Sequence, residues 1–266
     1  MKTRKSVLSG TWYPQDPNHL EQVLEAYFSQ CVPGQSFSGN ALGIVSPHAG
    51  YIYSWSTAAH AFGSFPLDFS GTIIVIGPSH EGFATCASAI PWETPLGIVD
   101  TDTEFIKSLD IDINEEVHQT GENSIELQIP LIKYRFPRAQ IAPIMMGMQD
   151  YPSAIQLAEK IVSGIKKTKR DVRIVASSDF SHYVPEQKAK SDDLYTIEPL
   201  FTLDTQEFYR RVEERRSACG FGPIAAMVTA CGKLGAKTAQ LIRYATSGGV
   251  TGNRLKVVGY AAIAVM

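Results

Sequence analysis

The stretch Thr72-Ile-Ile-Val-Ile-Gly-Pro-Ser-His80 decides how this chain is read. Ile73 to Ile76 form an unbroken β-branched run, closed by a turn-like Gly-Pro. That is the pattern of a strand covered on both faces. Small residues then present an imidazole. The same arrangement recurs in Gly43-Ile-Val-Ser-Pro-His48 and in Ile174-Val-Ala-Ser-Ser-Asp-Phe-Ser-His182.

Working outward, buried strands are expected at Ala41–Ser46, Thr72–Ile76, Gln140–Met145 and Val172–Ala176. Helical patterns lie between and after them. They cover Trp55–Phe62, Thr103–Leu109 behind the N-cap Asp102, Ser124–Phe136, Ser153–Lys167, Lys188–Leu200, Thr205–Arg215 and Pro223–Leu234. Alternating strands and helices predict an α/β fold, with a mostly parallel sheet covered on both faces. Gln240–Ala245 and Lys256–Ala264 read as an antiparallel edge hairpin around Ser247-Gly-Gly, and Ala87–Asp100 as a second hairpin. No repeat or linker divides the chain, so residues 1–266 read as one domain.

The 266 residues are 44% hydrophobic and 19% charged, which excludes disordered and collagen-like classes. A net charge of -3 argues against a nucleic-acid binder. No segment carries the ~18 apolar residues of a membrane span, and no signal-like apolar core follows the basic start. Four cysteines without a CxxC pair point to a reducing setting. A cytoplasmic protein is therefore expected. Lys166–Arg170, Asp192-Asp193 and Arg210–Arg216 read as solvated faces or helix ends.

In an open parallel sheet the carboxyl ends of the strands share one edge, where ligands bind. His48, His80 and His182 should therefore meet in one crevice. Any one of them alone would read as a structural histidine. Three in the same topological position point to a shared site, above all a metal site. Asp179 orients an imidazole, binds substrate, or merely closes an Asx turn. Cys219, in Ala218-Cys-Gly-Phe-Gly-Pro223, stands before a helix that Pro223 is expected to open, a context that favours thiolate. Cys31, Cys86 and Cys231 read as packing. The set then makes either a closed four-ligand centre or three ligands plus an acid–base histidine.

At these residues the chain resembles a known family. Ser46-Pro-His-Ala-Gly-Tyr-Ile-Tyr53, Gly77-Pro-Ser-His80, Ser177-Ser-Asp-Phe-Ser-His-Tyr183 and Ala218-Cys-Gly-Phe-Gly-Pro223 look like the Memo family, also called the B component of the AmmeMemoRadiSam system. Gly10-Thr-Trp-Tyr-Pro14 and Glu122-Asn-Ser-Ile-Glu-Leu-Gln-Ile-Pro130 fit as well. The resemblance implies a single-domain α/β/α sandwich similar to class III extradiol (LigB-type) dioxygenases. Those enzymes hold non-haem Fe(II) with two His and a Glu, and use a further His as acid–base catalyst. Carried over, His48 and His80 become metal ligands, and His182 the acid–base group or a nearby ligand. Cys219 falls where the dioxygenases have the ligating Glu, which counts against ring cleavage and admits copper or zinc beside iron. Trp12, Tyr53 and Asp179 match positions near the family cleft. Radical-SAM and AMMECR-type proteins are the partners the system implies, and a small molecule or peptide the substrate. Members have been described as binding iron or copper, and an animal member as a phosphotyrosine-peptide adaptor. One position departs. Most members read Glu-His-Ser-Ile-Glu where this chain has Asn123, which hydrogen-bonds but cannot shuttle a proton near neutral pH.

Two functions follow as expectations. One is metal-dependent redox chemistry on a small or modified substrate. The other is a (phospho)peptide- or metal-binding module using the same cleft. A zinc hydrolase ranks last, because no acidic general-base motif adjoins the histidines.

Overall fold

Four of the apolar runs lie side by side as parallel strands: β1 (Gly43–Ser46), β2 (Thr72–Pro78), β6 (Gln140–Met146) and β7 (Val172–Ser177), in the order β6-β2-β7-β1. This is a computed structural model, and it describes residues 2–31 and 39–266. The register aligns Ile44, Val175, Val75 and Pro143 across the four strands. β1 and β2 are buried throughout, as continuous apolar strands require.

The sheet grows antiparallel at both sides. β3 (Cys86–Ala87) pairs with β6, and β10 (Val257–Val265) pairs with β1. β8 (His182–Val184) and β9 (Ala239–Thr246) both pair with β10. β4 (Trp92–Thr94) and β5 (Gly97–Val99) form a separate two-stranded hairpin. The expected β9–β10 hairpin is present, but its link is not a tight turn. Ser247 leads into a short helix, α11 (Gly248–Thr251), and the strand resumes at Val257.

Helices cover both faces, so the architecture is an α/β/α sandwich. One face carries α1 (Pro17–Phe28), α2 (Tyr51–Phe62) and α6 (Ile129–Arg135). The other carries α3 (Thr103–Ser108), α7 (Tyr151–Thr168), α9 (Thr205–Arg215) and α10 (Phe221–Lys233). The strand period of two splits β2 between the cores: Ile73 and Val75 face one, Ile74 and Ile76 the other. α4 (Glu115–His118), α5 (Asn123–Glu126) and α8 (Glu186–Ile197) complete the set.

Several expectations need correction. Ser124–Phe136 is not one helix; α5 ends at Glu126 and α6 begins at Ile129. Pro130 has no N–H to continue the ladder, so the helix restarts there with its proline in the first turn. The Lys188–Leu200 helix passes at Glu198 into a 3₁₀ turn, Glu198–Thr202. α1 was not expected at all, although its signals stand in the sequence. Asp16 caps it through the His19 N–H, Pro17 opens it, and Leu20, Leu24 and Phe28 make its buried stripe.

The Asp192-Asp193 pair is no solvated face. Asp193 is fully buried. Its Oδ1 accepts from the Ser181 N–H at 3.1 Å and the Ser181 hydroxyl at 2.5 Å, and its Oδ2 from the Tyr244 hydroxyl at 2.7 Å. Arg210 and Arg211 do lie on a surface, paired with Glu207, Glu214 and Glu198. Among the described residues, no helix is long and apolar enough to cross a membrane.

Candidate metal centre

The crevice forms where β1, β2 and β7 end. Pro47 follows β1 and Pro78 is the last residue of β2, and beyond them His48 and His80 face each other edge to face, with ring centroids 5.3 Å apart. Cys219 arrives from the opposite side, on the turn before α10. Its Sγ lies 3.2 Å from His48 Nε2. One ligand atom each from His48, His80 and Cys219 falls within 4.8 Å of the other two. Two imidazoles and a sulfur suit iron, copper or zinc.

α5 is the element that orients the two histidines of this trio. Gly77 makes its approach possible, because a Cβ there would stand 2.5 Å from Ser124 Oγ and 2.8 Å from Ile125. Glu122, the α5 N-cap, accepts the backbone N–H of His80 at 2.7 Å and bonds its ring Nδ1 at 2.8 Å. The imidazole proton therefore sits on Nδ1, and Nε2 is left for a ligand. Burial opposes the charge on Glu122, but these His80 bonds and the Ser124 N–H hold its carboxyl down to about 2. The Glu122 bond in turn raises His80. Asn123 donates from Nδ2 to the His48 carbonyl at 2.9 Å, so the position where most family members carry His secures backbone here.

His48 is buried, and burial together with the nearby His80 pushes its pKa down to about 3. It is a neutral ligand candidate. Its Nδ1 lies 2.9 Å from Ser177 Oγ, which also takes a bond from Gln128.

Cys219 differs from expectation. α10 begins at Phe221, two residues before Pro223, which occupies the first turn. Burial and the Asp179 carboxylate push the Cys219 thiol well above its ordinary value, outweighing the hydrogen bonds around it. One of these comes from the Asp179 N–H, 3.2 Å from Sγ. The helix terminus alone does not make a thiolate here; a cation at the trio would.

Asp179 does not touch an imidazole. Its Oδ1 accepts the His48 backbone N–H at 2.8 Å, which fixes the turn after β1. Burial pushes its carboxyl up to about 7. His182 opens β8 and is exposed; it lines the cleft with His48 and His80 but stands outside the trio. Partial desolvation of the ring against the cleft wall, then the charge of His80, lower its pKa. Tyr183 beside it holds φ at 57°, a strained conformation for an aromatic residue. Trp12, Asn123 and Asp179 complete a cleft of about 190 Å³. Tyr53 lies on the first turn of α2, partly exposed and outside that lining. Glu122, Ser177 and Gln128 were missed as site residues, although each lies in a stretch that carries the family resemblance.

The fold and the site together define an α/β/α sandwich with a His–His–Cys cluster at the carboxyl edge of its parallel strands. A family model described as Memo-like protein matches residues 4–264. A MEMO1 family protein of Methanococcoides burtonii is 41% identical, covering 98% of this chain and 99% of its own. One of Methanosarcina barkeri is also 41% identical over the same shares. One of Methanothermobacter thermautotrophicus is 36% identical over 97% and 98%. The chain belongs to the Memo family.

Proposed function

We propose that this protein carries out metal-dependent redox chemistry on a small or modified substrate, with His48, His80 and Cys219 holding iron or else copper; zinc in the same ligands would support Lewis-acid chemistry alone. The observation that carries this reading is the trio itself: three ligand atoms from three separate loops within 4.8 Å of one another. Bound iron or copper would supply Lewis-acid and one-electron chemistry. The chain's own residues do the rest. Glu122 keeps the His80 proton on Nδ1. Asp179 and Asn123 hold the His48 backbone from two sides. His182, on the cleft wall with a lowered pKa, favours the neutral imidazole and is placed to accept a proton from a bound substrate. Trp12 and Tyr183 border the opening.

The exposed aromatic rim favours a second reading. Trp12, Tyr53 and Tyr183 are 38%, 37% and 72% exposed, a surface able to hold a peptide over the same cleft. Metal analysis of untagged protein purified without chelators, beside His48→Ala, tests the centre. Metal loss in the variant is expected; unchanged content sinks the assignment. Anaerobic Fe(II) loading followed by oxygen uptake over phenols and peptides tests the chemistry. Cys219→Ser separates the readings, since a peptide binder keeps its ligand and an enzyme loses turnover.

A further inference from the structure

Gln128 is fully buried at the break between α5 and α6, and its amide is committed on every side. Its Oε1 accepts the Ser46 hydroxyl at 2.7 Å. Its Nε2 donates to the Pro47 carbonyl and to Ser177 Oγ, both at 2.9 Å. A carbonyl can only accept, so Pro47 settles which end of the amide is nitrogen. Ser177 is also fully buried, and its oxygen therefore receives a hydrogen bond. Among the described residues the other partner of that oxygen is His48 Nδ1, at 2.9 Å. Were Ser177 to accept from both sides, its own proton would be buried without an acceptor, a costly arrangement. The hydroxyl thus donates to Nδ1. The ring proton then lies on Nε2, aimed at Cys219 Sγ 3.2 Å away.

We propose that Gln128 is a positioning residue that sets the tautomer of His48: acting through Ser177, it keeps the ring proton on Nε2, while Glu122 sets the opposite tautomer in His80. The two imidazoles of the trio are then unequal. His80 presents a bare Nε2. His48 presents an N–H already bonded to Cys219, and its ring must carry its proton on Nδ1 before Nε2 can ligate. Only this consequence rests on the metal reading above; the tautomers themselves do not.

The test is long-range 1H–15N correlation spectroscopy on 15N-histidine protein stripped of ions. Wild type should show His48 as the Nε2–H tautomer and His80 as Nδ1–H. Gln128→Glu gives Ser177 an acceptor, turns its hydroxyl round and should convert His48 to Nδ1–H without moving His80. Ser177→Ala should cut the His48 tautomer ratio by about tenfold, the worth of one buried hydrogen bond. A wild-type His48 already in the Nδ1–H form overturns the proposal, as does a folded Gln128→Glu protein with unchanged tautomers. If that variant does not fold, wild type and Ser177→Ala decide. A Co(II) titration keeps the two readings apart. Correct tautomers with no Co(II) uptake sink the metal centre and leave this proposal standing; uptake with His48 as Nδ1–H does the reverse.

Discussion

Glu122 grips His80 twice, taking its backbone N–H with Oε2 at 2.7 Å and its ring Nδ1–H with Oε1 at 2.8 Å. The carboxylate is almost wholly buried, while the imidazole it holds remains partly open to the cleft. Such a partner fixes ring orientation and strengthens the opposite nitrogen as a donor. Glu122→Gln should therefore weaken Co(II) or Zn(II) binding by about 10- to 100-fold. Competition titration against a chromophoric chelator measures this. An unchanged affinity would remove His80 from the centre.

Gly77 sets how closely α5 approaches β2. Ala at this position would press on Ser124 and Ile125, and would disturb the bond from Ser124 Oγ to the Pro78 carbonyl. Overpacking of this kind costs about 1–3 kcal/mol. Because α5 also carries Glu122, Gly77→Ala should lower both urea stability and metal affinity. Loss of stability alone would uncouple the helix from the site.

Arg4 ties the N-terminal arm to the same helix. Its guanidinium pairs with Glu126, both side chains being almost wholly buried, and stacks 4.3 Å over Trp92. Glu126 also accepts from the Leu8 N–H at 2.9 Å and the Tyr13 hydroxyl at 2.8 Å. Arg4→Ala leaves that carboxylate without its cation and should cost about 3–5 kcal/mol. The arm carrying Trp12 should also become sensitive to protease. Denaturant melts and limited digestion read the two effects separately.

Asp193 makes stability depend on pH. Burial, then the charge of Asp192, push its carboxyl from 3.8 up to about 6, against the hydrogen bonds from Ser181 and Tyr244. A raised folded value means that the folded state holds the proton more tightly. The contribution is complete below about pH 4 and is lost as pH rises through 6. Wild type should lose about 2–3 kcal/mol over that window relative to Asp193→Asn. Urea unfolding of both proteins at pH 4 and pH 8 checks it; parallel pH profiles would sink the assignment.

The sandwich was legible in Ile73–Ile76 and its three sister runs, because strands covered on both faces need unbroken apolar sequence. The position of His48 and His80 was legible too, since parallel strands must end on one edge. Even α1 was written plainly in Asp16, Pro17 and the Leu20, Leu24, Phe28 spacing, and was overlooked rather than hidden. The break before Ile129 was harder to see, because an apolar period continues across it while Pro130 interrupts only the hydrogen bonds.

Sequence by itself determined the layers, the strand-end imidazoles and the candidacy of Cys219, all of which follow from local pattern and chain direction. Tertiary structure alone decided which groups touch. It set Cys219 in a half-buried turn beside Asp179, surroundings that push its thiol up. It turned Asp179 toward backbone instead of an imidazole. It left His182 outside the trio. It brought Glu122 and Gln128, on a helix pair between β5 and β6, against His80 and against the Pro47 and Ser177 groups that adjoin His48. Burial and hydrogen-bond direction are properties of the whole packed chain, and no local spacing encodes them.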